Sequence, residues 1–231
     1  APGDDVVISQ SGFYTVTLDV DADINSLTLG TGSAGLITVN ITGHNFSVGA
    51  GGMTVLVDGV IQLNSGTFTG TGSMQMDGEL QWNGGILAGS GSLNGAGRFT
   101  LATPAAKNLN DLTLSVSSGS LIDWQNGELT LNSNASISVL PGANFLIQND
   151  NILSGAGSVH ISGGILQKTA GGGTAIMNAV VNNHGNILLD SGLLQFANNG
   201  YHTGSFTAAT NTGIIFSNGA THLLDGVDFH G

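Results

Sequence analysis

The sequence has no cysteine and very little positive charge. Only 3 of its 231 residues are Lys or Arg, against 15 Asp and Glu, and the formal net charge is −12. Without cysteine the chain has neither a disulfide framework nor a thiolate metal site. The three cations, Arg98, Lys107 and Lys168, are too few and too scattered to form a nucleic-acid surface, and the acidity disfavours binding to anionic lipid. We therefore expect no nucleic-acid partner.

Helix-forming and membrane-spanning segments are lacking as well. Charged residues make up 8% of the chain, Glu occurs only as Glu79 and Glu128, and Gly supplies 38 residues. Gly, Asn, Ser and Thr disfavour helix or divert the backbone into turns. No apolar run approaches the roughly 18 residues that indicate a membrane-spanning helix. Because 40% of the residues are still hydrophobic, the composition indicates a folded, non-helical protein without membrane insertion.

Short apolar alternations separated by turn signals fill the chain from end to end. Residues 14–20 and 37–41 alternate apolar and polar side chains at a period of two, which is typical of half-buried strands. No change of composition divides the sequence, so we expect one domain over residues 1–231. Asn-Gly turn signals stand at Asn94-Gly95, Asn126-Gly127 and Asn218-Gly219.

A Gly-x-Gly-Ser motif recurs along the chain. It begins at Gly30, Gly70, Gly89 and Gly155, at intervals of 40, 19 and 66 residues, close to two, one and three units of roughly 20 to 22. Imperfect recurrence at this period is typical of an array whose units bury their apolar faces on their neighbours. Shorter echoes are Gly78-Glu79-Leu80 with Gly127-Glu128-Leu129, and Gly84-Gly85-Ile86-Leu87 with Gly163-Gly164-Ile165-Leu166.

The repeat favours a parallel β-helix (β-solenoid) over an antiparallel sandwich or barrel. Those folds also have short strands and turns, but they have no unit that recurs near twenty residues. At about 4.8 Å per coil, we predict roughly 10 to 11 coils and a rod on the order of 50 Å long. Residues 1–30 are expected to form an N-terminal starting or capping coil and residues 31–231 the repeating coils. Aligned Asn side chains are expected to form ladders at the turns.

The segment from Gly78 to Phe229 resembles a repeat of bacterial surface proteins, found in adhesin-like and autotransporter-passenger-like chains. The matching stretches are residues 80–91, 182–187, 191–196 and 202–207, and residues 2–8 followed by 25–30 resemble the opening of such helices. This resemblance implies a right-handed parallel β-helix outside the cell and does not imply a reaction.

The acidic cluster Asp19, Asp21 and Asp23 is the best metal candidate. In a strand the three carboxylates would lie on one face, and Ca²⁺ prefers several oxygen ligands. The spacing is not that of an EF-hand, whose sixth and twelfth positions would be Ile24 and Gly30. The alternative interpretation is a solvated acidic face that holds no metal. We expect no other cofactor.

Other side chains suggest binding or catalysis. Trp82 and Trp124 are candidates for carbohydrate contact, with packing at a coil corner as the alternative. His202 and His222 are 20 residues apart, about one coil, and would lie on adjacent coils. Arg98 lacks a second Arg nearby, and the recurrence of Glu79 and Glu128 in Gly-Glu-Leu indicates architecture rather than the two carboxylates of a glycoside hydrolase.

The sequence therefore predicts a non-enzymatic structural or adhesive β-solenoid of a secreted or cell-surface bacterial protein. The pattern stops at residues 222–229 without a charged cap. We expect the rod to continue end to end, either as a stalk with further repeats of the same chain or as a self-assembling filament subunit. The alternatives are a carbohydrate-binding module that contacts surface glycans and a polysaccharide lyase or hydrolase.

Overall fold

The computed structural model describes residues 3–217 and 220–231, and this part of the chain is all β. No helix long and apolar enough to cross a membrane occurs in it. The predicted turn at Asn218-Gly219 and the start of the chain at Pro2 lie outside the described residues. The strands are β1 (Asp5–Ile8), β2 (Phe13–Thr17), β3 (Ala22–Leu29), β4 (Leu36–Ile41), β5 (His44–Val55), β6 (Gly59–Leu63), β7 (Gly66–Gly70), β8 (Ser73–Met76), β9 (Glu79–Trp82), β10 (Gly85–Ala88), β11 (Ser92–Gly95), β12 (Arg98–Leu101), β13 (Lys107–Asn110), β14 (Thr113–Val116), β15 (Leu121–Trp124), β16 (Leu129–Asn132), β17 (Ser136–Val139), β18 (Asn144–Ile147), β19 (Ile152–Ile161), β20 (Ile165–Lys168), β21 (Thr174–Asn183), β22 (Asn186–Leu189), β23 (Leu193–Phe196), β24 (Gly200–His202), β25 (Ser205–Ala208), β26 (Gly213–Phe216), β27 (His222–Leu224) and β28 (Asp228–His230).

The strands stack in parallel as three ladders. The first ladder is β2-β4-β6-β9-β12-β15-β18-β20-β22-β25-β28. The second contains β7, β10, β13, β16, β23 and β26 with the first parts of β3, β5, β19 and β21. The third contains β1, β8, β11, β14, β17, β24 and β27 with the later parts of the same four strands. Those four strands run round the corner between the second and third ladders and join them into one sheet.

The described chain passes ten times through the three ladders, from β2 to β27, which confirms the predicted β-solenoid. Strand partners on consecutive coils are 19 to 26 residues apart: Val60 pairs with Glu79, and Ser26 with Gly52. Each coil therefore has a similar set of strands, and the variation in length falls in the turns.

The core is a set of columns that run along the rod. Alternate side chains of each strand point inward, and residues in register stack on one another, as Phe99 does between Leu80 and Ile122. Both neighbours and Phe99 itself are at most 1% exposed. Ring stacking reinforces the columns at two levels, Phe46 on Phe68 with centroids 5.6 Å apart and others near the carboxyl end.

Two of the three cations are enclosed in this interior. Lys107 and Lys168 are 0% exposed. Lys107 Nζ donates to the backbone carbonyls of Thr103 and Ala105 at 2.7 and 2.8 Å, and burial lowers its pKa to about 8. Lys168 Nζ lies 2.9 Å from Asp150 Oδ1. Both ammonium groups thus bind oxygen atoms of turns and hold those turns against the coil.

Glycine at the corner between the second and third ladders lets consecutive coils approach closely. A Cβ on Gly89, whose φ is +130°, would lie 1.8 Å from the carbonyl oxygen of Gly70. Three occurrences of Gly-x-Gly-Ser, those beginning at Gly70, Gly89 and Gly155, share this corner. The occurrence at Gly30 follows β3 and lies at the corner between the third and first ladders, so it is not the same element of the coil.

The expected asparagine ladder is present at the end of the first ladder's strands. Asn64 Nδ2 donates to Asn40 Oδ1 at 2.7 Å, and Asn83 Nδ2 donates to Asn64 Oδ1 at 2.8 Å. Amide side chains on three successive coils thus satisfy one another where the backbone turns away from the sheet.

Candidate functional site

A groove of about 420 Å³ runs along the corner between the third and first ladders. It exists because two consecutive coils are short. Only two residues, 77–78 and 96–97, connect the ladders there, whereas residues 56–58 and 117–120 make longer turns on the flanking coils. The longer turns stand out from the rod, and the short ones form the floor between them.

Glycine backbone lines the floor and apolar side chains lie at the rim. A Cβ on Gly78 would lie 2.1 Å from the oxygen of Gly59, and one on Gly97 would lie 2.1 Å from the oxygen of Gly78. Only glycine permits this coil spacing at these two positions, and the other floor residues are Asp77 and Ala96. At the rim Leu36 is 47% exposed and Val57 is 67% exposed.

The first ladder places three charged side chains on successive strands, and two of them, Glu79 and Arg98, line this groove. Glu79 pairs in register with Arg98 on the next coil, and Asp123 follows on the coil after that. Arg98 Nη2 donates to Asp123, whose side chain is 3% exposed, while the Arg98 side chain is 49% exposed. Thr100 Oγ1 accepts from Arg98 Nε at 3.1 Å and donates to Glu79 Oε1 at 2.6 Å. The guanidinium and the Glu79 carboxylate are therefore held in fixed positions.

Asp123 positions Arg98 and does not face solvent. It also accepts hydrogen bonds from Gln125 and Gln148. The sequence alone does not indicate that Arg98 pairs with Asp123. The two residues are 25 positions apart, so their contact can be predicted only when the length of that coil is known.

The prediction that Trp82 and Trp124 contact carbohydrate is corrected by their positions. Both point inward from the first ladder and are 1% and 0% exposed. Trp124 Nε1 donates to the carbonyl of Gly127 at 2.7 Å, and its ring centroid lies 6.3 Å from that of Phe145. A sugar stacks only on an exposed ring face, so these rings form part of the core.

The acidic cluster is not brought together as a metal site. Asp19 and Asp21 precede β3 and only Asp23 lies in it, so the expectation of three carboxylates on one strand face is wrong. Asp21 accepts hydrogen bonds from Asn45 N and Nδ2 at 2.8 and 3.1 Å, which lower its pKa. The described residues contain no group of three or more His, Cys, Asp or Glu side chains arranged to hold a metal. Binding of Ca²⁺ remains a prediction without a geometric site.

The histidine prediction is confirmed. His202 and His222 lie on adjacent coils, in β24 and β27, with His202 Nε2 3.3 Å from His222 Nδ1.

Both ends of the stack leave strands with a partner on one side only among the described residues. At the amino end these are β1, β2 and the first part of β3, and Phe13 is 85% and Val16 36% exposed there. An apolar opening of about 160 Å³ leads into the core at this end. At the other end, where β26, β27 and β28 are outermost, Leu224 is 48% and Phe229 57% exposed.

No family model matches the chain, and neither a curated protein nor a solved structure matches it. The parallel β-solenoid that the sequence resemblance implies is present, while membership of a surface-protein family is not shown.

Proposed function

We propose that the protein is a non-enzymatic structural rod of a secreted or cell-surface bacterial protein, and that it continues end to end. The observation that carries this proposal is that, among the described residues, both terminal coils leave all three ladders unpaired on their outer side. Unpaired strand edges are templates for another strand. In a solenoid, a further coil would pair the free backbone N–H and C=O groups of such a terminal coil.

The two ends are matched in register. The inward column of the first ladder begins at Val16 and ends at Phe229, and that of the third ladder begins at Ile8 and includes Leu224 at its other end. A coil added at one coil spacing would therefore place an apolar side chain over each exposed one. Further coils of the same chain would make a stalk. A second copy bound at the end would make a head-to-tail filament, because the same contact can then be repeated by each added copy. The net charge of −12 opposes side-by-side association.

Stacking between copies is tested by particle length. In sedimentation and negative-stain electron microscopy, we expect rods in multiples of about 50 Å that lengthen with concentration. Phe229→Asp should shift the distribution to single rods because it places a charge in the apolar column. Ser138→Asp, on the side of the rod, is the matched control and should leave the lengths unchanged. Single-length rods at every concentration would exclude the filament.

The groove favours a second candidate function, contact with a neutral glycan. Its fixed Arg98 and Glu79 offer hydrogen-bond donors and acceptors to hydroxyl groups, and Asp77 and Glu79 disfavour acidic sugars. Ala96→Tyr should obstruct the groove, since Ala96 is exposed in its floor and lies outside the charged network. We expect neutral oligosaccharides to shift the NMR signals of residues 96–98 in the wild type and not in this variant, and to be recovered uncleaved. Equal shifts in both proteins, or none in either, would contradict glycan binding in the groove.

A further inference from the structure

The coils at the carboxyl end contain a histidine enclosed by aromatic rings. His202 points inward from β24 and is 0% exposed. The centroid of its ring lies 5.8 Å from Phe196, 5.4 Å from Phe206 and 5.7 Å from Phe216. Three different strands, β23, β25 and β26, supply these rings, so the imidazole is packed between the coils and not at the rod surface.

The hydrogen-bonding capacity of this imidazole is only half used. Its Nε2 lies 3.3 Å from His222 Nδ1, and the two rings are stacked with centroids 5.5 Å apart. Its Nδ1 is buried and has no hydrogen-bond partner. A neutral imidazole tolerates this arrangement because one nitrogen can remain an unprotonated acceptor. A protonated imidazole has two N–H donors and needs an acceptor for each.

Two neighbouring imidazoles oppose the protonation of His202. His222 of β27 and His184, in the turn between β21 and β22, both add repulsion when they are cationic. The carboxylate on the outer side of this ladder, Asp225, accepts a hydrogen bond from Tyr201 at 3.3 Å. Burial lowers the pKa of His202 to about 4, with smaller contributions from His222 and His184, and burial also lowers the pKa of His222.

We propose that the buried His202–His222 pair makes residues 200–231 an acid-released segment, which packs on the rod at neutral pH and detaches in mild acid. Detachment hydrates both imidazoles and removes the outermost strands of all three ladders. Because each coil of a solenoid contacts only its neighbours, release of this end leaves the preceding coils folded. The inference does not depend on end-to-end stacking.

The direction of the pH effect follows from the two protonation states. Detached His202 has an ordinary pKa near 6.5, whereas packed His202 has a lower one, so packing is fully favourable above about pH 6.5 and weakens as the pH falls toward 4. Packing should weaken about fifty-fold by pH 4.5 from His202 alone.

Amide hydrogen exchange at pH 7.0 and 4.5, corrected for intrinsic exchange, tests this proposal on the full chain. We expect protection of residues 200–231 to fall roughly fifty-fold or more while that of residues 98–168 is retained. His202→Phe should abolish most of the pH dependence, because Phe fits the aromatic surroundings and cannot be protonated. His230→Gln, on the same segment but exposed, is the matched control and should behave as the wild type.

NMR titration of the histidine rings in the wild-type protein tests the proposal even if His202→Phe does not fold. We expect the His202 ring to stay neutral until the segment exchanges with its detached form. Titration of His202 near pH 6.5 with the segment still protected, or an unchanged pH dependence in a folded His202→Phe variant, would overturn the proposal.

Discussion

Single glycine positions set how closely consecutive coils can approach. Where the carbonyl of one coil points at the Cα of the next, a methyl group has no room, and a positive φ adds strain for any L side chain. The chain's 38 glycines are therefore not equivalent. Substitution by alanine should distinguish glycines that lie against the backbone of the next coil from glycines with open space around them.

Gly89→Ala should be severely destabilising. Its Cβ would overlap the backbone oxygen of Gly70, which cannot move without displacing a coil. We expect a loss of more than about 3 kcal/mol in the free energy of unfolding, measured by denaturant titration. Gly172→Ala is the matched control, since nothing lies within 4 Å of its Cβ and its φ is ordinary. It should change stability by less than about 1 kcal/mol, and similar losses in the two variants would contradict the close-approach argument.

A buried carboxylate performs a similar local task at the corner between the third and first ladders. Asp58 is 4% exposed and accepts hydrogen bonds from Thr31 N and Oγ1 and from Gly32 N, with the closest at 2.6 Å. These bonds, led by the Thr31 hydroxyl, lower its pKa to about 2. The carboxylate thus holds the turn that follows β3.

Asp58→Ala should cost about 2 kcal/mol, because it leaves backbone N–H groups without an acceptor. Asp58 has a lower pKa in the folded state, so its contribution is present above about pH 4 and is lost as the pH falls through 3.8 toward 2. Denaturation curves at pH 7 and pH 2.5 should show the variant and the wild type converging in acid. Asp77→Asn, in the corresponding turn of the next coil, is expected to change stability by less than about 0.5 kcal/mol.

At the scale of elements, most strands are four residues long, whereas the turns vary in length. The asparagine ladder shows how a turn is fixed without secondary structure, since each side-chain amide forms a hydrogen bond with the amide on the next coil. Asn64→Ala interrupts this ladder at its centre and removes one donor and one acceptor. We expect a loss on the order of 1 to 2 kcal/mol in denaturant titration. Asn178→Ala, at an exposed position of β21, should change stability by less than about 0.5 kcal/mol, and equal losses would show that the ladder does not stabilise the turns.

The difference between strands and turns explains which features of the fold the sequence predicted and which it did not. Recurrence near twenty residues predicted parallel stacking and the number of coils, because a unit of that length fits one turn of a solenoid. Gly-Glu-Leu, however, enters the first ladder at Gly78 and the second ladder at Gly127. A tripeptide encodes a turn and a strand entry, whereas the ladder that the strand joins depends on register with residues 19 to 26 positions away. Because this register cannot be read from a short motif, the sequence did not predict the inward direction of Trp82 or the contact of Arg98 with Asp123.

At the scale of the whole molecule, the solenoid is a stack of exchangeable coils. Glu79 and Arg98 occupy equivalent positions 19 residues apart, and the other two ladders keep the same register, with Ile86 on Thr67 and Ser92 on Ser73. Deleting residues 79–97 should therefore join Gly78 to Arg98 with every inward side chain still inward. We expect a folded protein, shorter by about 4.8 Å, in circular dichroism and small-angle scattering.

Deleting residues 79–98 provides the matched control for this prediction. The extra residue shifts the next strand by one position and turns its apolar side chains toward solvent. This variant should lose its cooperative unfolding transition. If both deletions fold equally well, or neither folds, the coils are not exchangeable units.

The enclosed lysines have a consequence for degradation. Proteases that cut after Lys or Arg meet three such residues in the sequence, and two of them, Lys107 and Lys168, are sealed within the coils. The third, Arg98, lies within β12 between two hydrogen-bonded neighbours, where a protease cannot draw the chain into its cleft. Mass spectrometry of the folded rod after trypsin treatment should accordingly show an intact chain. A composition poor in cations, with most of them turned inward, makes the folded rod resistant to proteases that cut after Lys or Arg.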